Sequence, residues 1–206
     1  MADKEERDRK KEKDRAQREA KKREAAALEN ARKEQEQKEE SSRLDGQILT
    51  FLQKASENTT LRDYSMSGIN LGMARTQIVA RLVAFNTSLT SLHLSRKNIQ
   101  DKEGMDLARA LITNKTLRKL ELEGNCLGMY TAKVFAIALR KNKTLRYLDL
   151  ESNNLTNDTE ENGGIEDMIS ALAENTTLLS LNLGNNRLQE DIGRNFVDLF
   201  NPRQRN

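Results

Sequence analysis

The chain has 206 residues, of which 33% are charged and 36% hydrophobic, with a formal net charge of +3. Residues 1–43 hold 15 of the 35 Lys/Arg and 13 of the 32 Asp/Glu, which leaves 20 and 19 for positions 44–206. Neither part has the basic excess typical of binding to nucleic acid by bulk charge, and the single cysteine excludes an intramolecular disulfide. The sequence contains no run of about 18 apolar residues, the length needed to span a bilayer.

Residues 1–43 are predicted to form a charged helical arm. From Asp3 to Arg43 the sequence contains no glycine or proline, and acid-to-base pairs four residues apart, such as Glu29–Lys33, recur along it. Such pairs stabilise an isolated helix by roughly 0.2–0.5 kcal/mol each, which favours a long solvated helix. Alanines form only a narrow apolar stripe, so a coiled-coil arm and a solubilising tail remain open alternatives.

Residues 44–60 carry a short amphipathic pattern. Ile48, Leu49, Leu52 and Ala55 recur at helical spacing just before the first repeat described below. An open solenoid end would expose its apolar cross-section, so we expect this helix to cover it as an N-terminal cap.

Residues 61–188 repeat one frame five times. Each frame reads L-x-x-L-x-L, with Leu or Ile at the eleventh place; the first copy, from Leu61, is weaker because Tyr64 and Met66 replace leucines. The other copies begin at Leu89, Leu117, Leu145 and Leu178. The first four leucines lie 28 residues apart and the last step is 33. A fixed period of this size predicts a solenoid.

Amphipathic helical patterns lie between the frames. One short strand and one full helix per 28 residues resembles the ribonuclease-inhibitor-like class of leucine-rich repeat proteins. The resemblance implies an α/β fold, in which a short leucine-rich-repeat solenoid of about five strand–helix repeats follows the long charged helix and carries a parallel sheet on its concave face. Residues 189–206, apolar at helical spacing from Ile192 to Phe200, are expected to form the C-terminal cap.

Two sets of asparagines follow the repeat period. Asn125, Asn153 and Asn186 occupy the ninth place of their frames, where a buried amide can bond backbone groups at the bend, whereas Asn154 is expected to face outward. A second set precedes the frames in an Asn-x-Thr/Ser-Leu motif, where we expect left-handed helix ends rather than glycosylation: Asn58, Asn86, Asn114, Asn142 and Asn175. Cys126, beside Asn125, is expected to be a buried structural thiol.

The candidate binding residues lie between the strand leucines, on the predicted concave face. Glu121, Glu123, Asp149 and Glu151 would form a two-by-two acidic block on adjacent strands about 4.8 Å apart. Such a block should raise the pKa values of its members and attract a Lys- or Arg-rich protein segment, although a solvated face without a partner is also possible. The neighbouring candidates are His93, Arg96 and Tyr147. No pattern indicates a catalytic, cofactor or metal site.

The step from Leu145 to Leu178 contains five extra residues. The insertion follows Leu155 and carries Asp158, Glu160 and Glu161 before two glycines. An expansion of one repeat commonly marks a contact loop on the rim, and a neutral loop is the alternative.

These features favour a non-enzymatic, protein-binding scaffold or adaptor subunit, with the repeat arc and the arm as two contact sites. We expect a cytoplasmic protein of a cytoskeletal or ciliary (axonemal) assembly, because the architecture resembles tropomodulin, which also joins an extended N-terminal region to similar repeats. The alternative is a regulator of an enzyme, of the GTPase-activating or inhibitor type, which would use Arg96 or Tyr147. No cofactor, small-molecule substrate, nucleic acid or membrane partner is expected.

Overall fold

The computed structural model describes residues 2–59, 62–66, 71–156, 163–188, 192–194 and 196. The chain divides into two compact units, Met1–Gln47 and Ile48–Asn206. The division falls within one long helix, α1, which runs Ala2–Ser56.

The first unit is the N-terminal part of α1, so the predicted helix is confirmed. Its described side chains between Glu19 and Glu36 are all exposed. Lys33 Nζ lies 2.7 Å from Glu29 Oε1, one of the expected pairs. Leu28 is 74% exposed, and Ala27 and Ala31 near it are exposed as well. Pairing of this helix into a coiled coil stays a prediction.

The second unit alternates short strands with helices. The strands are β1 (Asp63–Ser65), β2 (Ser91–His93), β3 (Lys119–Glu121), β4 (Tyr147–Asp149) and β5 (Ser180–Asn182). The helices that connect them are α2 (Gly72–Phe85), α3 (Asp101–Thr113), α4 (Met129–Lys141) and α5 (Gly163–Glu174). The strands form one parallel sheet in sequential order, and α2 to α5 pack as successive neighbours. The predicted α/β solenoid is confirmed.

The leucines of the frame build the core. The register places Leu92, Leu120 and Leu148 opposite one another in the middle of adjacent strands, and all three are buried. The leucines that start and follow the strands are equally buried in the middle repeats, including Leu117, Leu122 and Leu127. Each repeat therefore covers its apolar edge with the next one, which is why the 28-residue period fixes the fold.

Residues Ile48–Ser56 of α1 belong to this second unit and contribute to its core. Ile48, Phe51 and Ala55 are buried, whereas Leu49 is 64% exposed, contrary to the expected inner face. The Phe51 ring lies 4.3 Å from that of Tyr64, measured between centroids. Tyr64, which replaces a leucine in the first frame, therefore packs against Phe51 of α1.

The asparagines that precede the frames join neighbouring repeats. Asn142 Nδ2 donates to the carbonyls of Leu111 and Asn114, at 2.6 and 3.1 Å, and its Oδ1 accepts from the N–H groups of Thr144 and Leu145, at 2.8 and 2.7 Å. Asn86, Asn114 and Asn175 make equivalent bonds. The buried amides satisfy the carbonyls at the end of the previous helix.

The predicted left-handed helix ends are wrong for this set, except at Asn58. Asn58 has φ +55°, but Asn86, Asn114 and Asn142 have φ between −63° and −77° with extended ψ, and Asn175 is likewise not left-handed. The extended backbone aims each side chain at the preceding repeat. Spacing alone could not distinguish the two conformations.

The ninth-place asparagines behave as expected. Asn153 Nδ2 donates to the carbonyls of Leu122 and Leu150, both at 3.0 Å, and Oδ1 accepts the Leu127 N–H at 3.1 Å. The expectation for Asn154 is wrong: the residue is half-buried, and its Oδ1 is enclosed without a hydrogen-bond partner among the described atoms.

Candidate partner-binding face

The outer residues of the five strands share one side of the sheet, which we call the open face. Each central leucine or Tyr64 points into the core, while its two neighbours stay partly or fully exposed. The register aligns two rows across the strands. One row is Asp63, Ser91, Lys119, Tyr147 and Ser180, and the other is Ser65, His93, Glu121, Asp149 and Asn182.

His93 lies between two carboxylates on neighbouring strands. Its Nε2 is 2.7 Å from Asp63 Oδ1, and its Nδ1 contacts Glu121 Oε2. Both ring nitrogens donate when the imidazole is charged, so a protonated ring can bond both carboxylates. The hydrogen bond from His93 is the main reason that the pKa of Asp63 is lowered.

Glu121 is held by cations from two strands. Burial by itself raises the pKa of Glu121, but hydrogen bonds from Lys119 and His93, with their charges, outweigh it, so the pKa lies below its ordinary value. Lys119 Nζ is 2.5 Å from Glu121 Oε1, and this bond raises the pKa of Lys119. The expectation that the acidic block raises the pKa of its members is therefore wrong at Glu121.

Arg96 and Glu123 form an ion pair on the bends that follow β2 and β3. Arg96 Nη2 donates to Glu123 Oε1 at 2.8 Å, and this bond raises the pKa of Arg96. Arg96 has φ +57°, and the equivalent residues Gly124, Ser152 and Asn185 are also left-handed. The bend after the strand therefore has the same backbone geometry in four repeats.

Asp149 and Glu151 have no cation within ion-pair distance in the described part of the chain. Asp149 Oδ1 accepts the Glu151 N–H at 2.9 Å, and Glu151 accepts from Asn182 and Asn185, at 2.8 and 3.2 Å. Tyr147 lies one place before the central leucine of the same strand and is 47% exposed. The uncompensated negative charge of the open face thus lies around Tyr147.

The structure brings together seven of the predicted site residues: His93, Arg96, Glu121, Glu123, Tyr147, Asp149 and Glu151. It adds Asp63 and Lys119, which the sequence analysis did not assign to the site. With these included, five carboxylates share the face with Arg96, Lys119 and His93, and they outnumber the Lys and Arg side chains by three. The face therefore has mixed charge, and only its β4 side is purely acidic. Asp158, Glu160 and Glu161 lie outside the described residues.

Cys126 is exposed, so the buried structural thiol is a wrong expectation. Its Sγ lies 3.4 Å from Asn98 Oδ1 on the preceding bend. The tenth place of this frame turns away from the core, whereas Asn125 and Leu127 on either side are buried.

Within the ranges that the structure covers, no three His, Cys, Asp or Glu side chains are arranged to hold a metal ion. No helix in these ranges combines the length and apolarity that crossing a bilayer requires.

Comparisons with known proteins agree with this geometry. The profile of the family described as "Leucine Rich repeat" matches residues 85–108, 113–128, 141–158 and 174–196. Four of the five repeats predicted from the sequence, those that begin at Leu89, Leu117, Leu145 and Leu178, are therefore confirmed as leucine-rich repeats. A search of curated proteins finds no match to the chain.

Two solved structures share the fold. A structure of "Leiomodin-1 Actin-Binding Site 2" is 20% identical with a TM-score of 0.61, and the match covers 72% of this chain and 84% of that one. The tropomodulin C-terminal domain of Caenorhabditis elegans is 17% identical with a TM-score of 0.61, over 74% of this chain and 90% of that domain. At these identities the likeness concerns the fold.

Proposed function

We propose that this chain is a non-enzymatic, protein-binding scaffold or adaptor of a cytoskeletal assembly, and that its open face docks a basic segment of a partner. The observation that supports the docking site most directly is the arrangement on β4 and the bend after it. Tyr147 offers an exposed aromatic ring, and Asp149 and Glu151 add two carboxylates that form no ion pair within 4.0 Å with a described cation. Tyrosine is enriched in interface hot spots because it combines apolar area with a polar tip.

The supporting argument for the cytoskeleton is the fold. The leiomodin structure is described as an actin-binding site, and the fold match covers 84% of that chain and 90% of the tropomodulin domain. We therefore take actin as the first candidate partner. A ciliary (axonemal) assembly is a finer proposal, supported by the combination of a charged helical arm and a short repeat arc.

The geometry offers less support to regulation of an enzyme. An arginine that acts on a bound enzyme needs its guanidinium available, and that of Arg96 is held by Glu123 at 2.8 Å. Arg96 is 78% exposed at its side chain, so the pair is weak, but it orients Arg96 across the face.

The test is co-sedimentation of the full chain with actin filaments, repeated over a salt series. We expect binding at low salt that weakens as salt rises, because exposed charges are screened over about 10 Å at 0.1 M. Tyr147→Ala together with Asp149→Asn and Glu151→Gln should lower the affinity at least about tenfold, as expected for a small hot spot.

The matched control removes charge from the insertion, as Asp158→Asn with Glu160→Gln and Glu161→Gln. If this variant loses the partner and the β4 variant keeps it, the rim carries recognition and the proposed face is wrong. If the wild-type chain binds neither actin filaments nor microtubule doublets of axonemes at low salt, the cytoskeletal proposal is wrong.

A further inference from the structure

A row of cations lines the edge of the sheet where the strands begin. In parallel strands all amino ends lie at the same edge, and here the loops from each helix to the next strand meet there. Arg62, Arg118 and Arg146 occupy the second place of their frames, and Lys115 and Lys143 follow the buried asparagines. These five residues, which we call the basic edge, line one groove of about 860 Å³.

All the charged side chains that line the basic edge are positive. No carboxylate lines the groove, and the other lining side chains are hydroxyls, among them Thr116 and Thr144. None of the five cations forms an ion pair with a carboxylate in the portion of the chain described. Residues 44–206 together carry only one surplus positive charge, so the edge reflects segregation of charge and not a bulk excess.

Hydrogen bonds between neighbouring repeats hold the backbone beneath these side chains. The Arg118 carbonyl accepts the N–H groups of Arg146 and Tyr147, at 2.8 and 2.9 Å, and the Arg62 carbonyl accepts those of Thr90 and Ser91. Asn114 and Asn142, one place before the two lysines, are buried and fully bonded. Neighbouring strands lie about 4.8 Å apart, and Lys115 and Lys143 come from adjacent repeats, as do Arg118 and Arg146, whereas Arg62 lies two repeats before Arg118.

We propose that the basic edge binds an acidic protein segment, rich in Asp or Glu, at a site separate from the open face. The guanidinium groups of arginine and the ammonium groups of lysine form charge-assisted hydrogen bonds with carboxylates, and the hydroxyls can add hydrogen bonds to a peptide. The groove contains no aromatic side chain on which bases could stack, which disfavours single-stranded nucleic acid. It contains no apolar side chain that could enter a bilayer, which disfavours a lipid surface.

The test uses the full chain and a fluorescently labelled twelve-residue oligoglutamate, followed by anisotropy at low salt. Lys115→Gln, Arg118→Gln and Lys143→Gln are combined in one variant, because all three side chains are exposed and the backbone bonds are unchanged. Arg146 is left in place, since it donates to the Thr177 carbonyl at 3.1 Å. We expect affinity to fall roughly tenfold, as three exposed charge contacts imply.

The matched control removes the same side chains from the arm, as Lys21→Gln, Lys22→Gln and Arg23→Gln, all of which are exposed. This variant should bind as the wild type does. Equal loss in both variants, or loss in the arm variant alone, would overturn the proposal. So would tighter, edge-dependent binding of a uridine oligonucleotide or of vesicles containing phosphatidylserine. The variant that carries Tyr147→Ala, Asp149→Asn and Glu151→Gln on the open face should bind oligoglutamate with the wild-type affinity. The two proposals can therefore fail independently.

Discussion

At the scale of single residues, the neighbouring asparagines Asn153 and Asn154 differ in the hydrogen bonds of their side chains. Asn153 bonds backbone groups of three segments, whereas the Asn154 oxygen is enclosed without a described partner. We predict that Asn153→Ala lowers the free energy of unfolding by roughly 1–3 kcal/mol, because buried carbonyl and N–H groups lose their partner.

Asn154→Ala is the control for that change. The Asn154 Oδ1 atom has no described hydrogen-bond partner, so its removal leaves no described group without a bond. The free energy of unfolding should therefore change by less than about 0.5 kcal/mol or rise slightly. Urea denaturation of both variants measures the difference. Equal losses would contradict the role assigned to the hydrogen bonds of the Asn153 amide.

The carboxylates around His93 give a pH dependence. The pKa values of Asp63 and Glu121 lie below their ordinary values of 3.8 and 4.5. A lowered pKa in the folded state stabilises the protein above the ordinary pKa, and this contribution is lost as pH falls through the folded value. We predict that stability declines from about pH 4.5 downward, and that Glu121→Gln reduces the decline.

Thermal melts between pH 7 and pH 3 test this prediction. Glu121→Gln should be less stable than the wild type at pH 7, and the difference should narrow as the pH falls. Glu166→Gln, at an exposed position on α5, is the control and should follow the wild-type curve. A constant difference at all pH values would contradict the proposed role of the Glu121 charge.

At the scale of elements, glycines set how closely the helices approach. A Cβ at Gly164 would lie 2.6 Å from the Met129 carbonyl oxygen on α4, and one at Gly104 would lie 2.5 Å from Thr131 Oγ1. A side chain can move away more easily than a backbone carbonyl. We therefore predict that Gly164→Ala destabilises by about 1–3 kcal/mol and Gly104→Ala by less.

Gly46→Ala in α1 is the matched substitution without a contact, since nothing lies within 4 Å of its Cβ position. It should stabilise helix α1 by up to about 1 kcal/mol, because alanine has the higher helix propensity. Circular dichroism with urea denaturation separates the three variants. If Gly164→Ala is as stable as the wild type, the α4–α5 contact is looser than described.

At the scale of the whole molecule, the core of the second unit begins at Ile48. We predict that deletion of residues 1–43 leaves the melting temperature of the remaining chain nearly unchanged, because every buried apolar side chain described lies between Ile48 and Ile192. Deletion of residues 1–60 should lower it by roughly 10 °C or more, because Ile48, Phe51 and Ala55 are lost from the core. A large drop for the shorter deletion would show that the arm stabilises the repeats.

The sequence by itself determined the repeat, the strand and helix positions and the buried leucines. Leu92, Leu120 and Leu148 recur at a fixed interval, and a chain with this period can bury its apolar edge only by stacking neighbours. The arm helix followed from propensity and charge spacing, which are local properties. The burial of the ninth-place asparagines could also be predicted from the sequence, because Asn125 and Asn153 recur with the same period as the leucines.

Only the tertiary structure decided which charges meet and which stay free. Glu121 and Lys119 are two residues apart on one strand, but His93 reaches Glu121 from the strand before, so the pairing depends on register. Helix-end geometry at Asn142 and the exposure of Cys126 depend on the position of the preceding repeat. The basic edge likewise becomes a single groove only when loops 28 residues apart are stacked, because electrostatic interactions depend on distance in space and not along the chain.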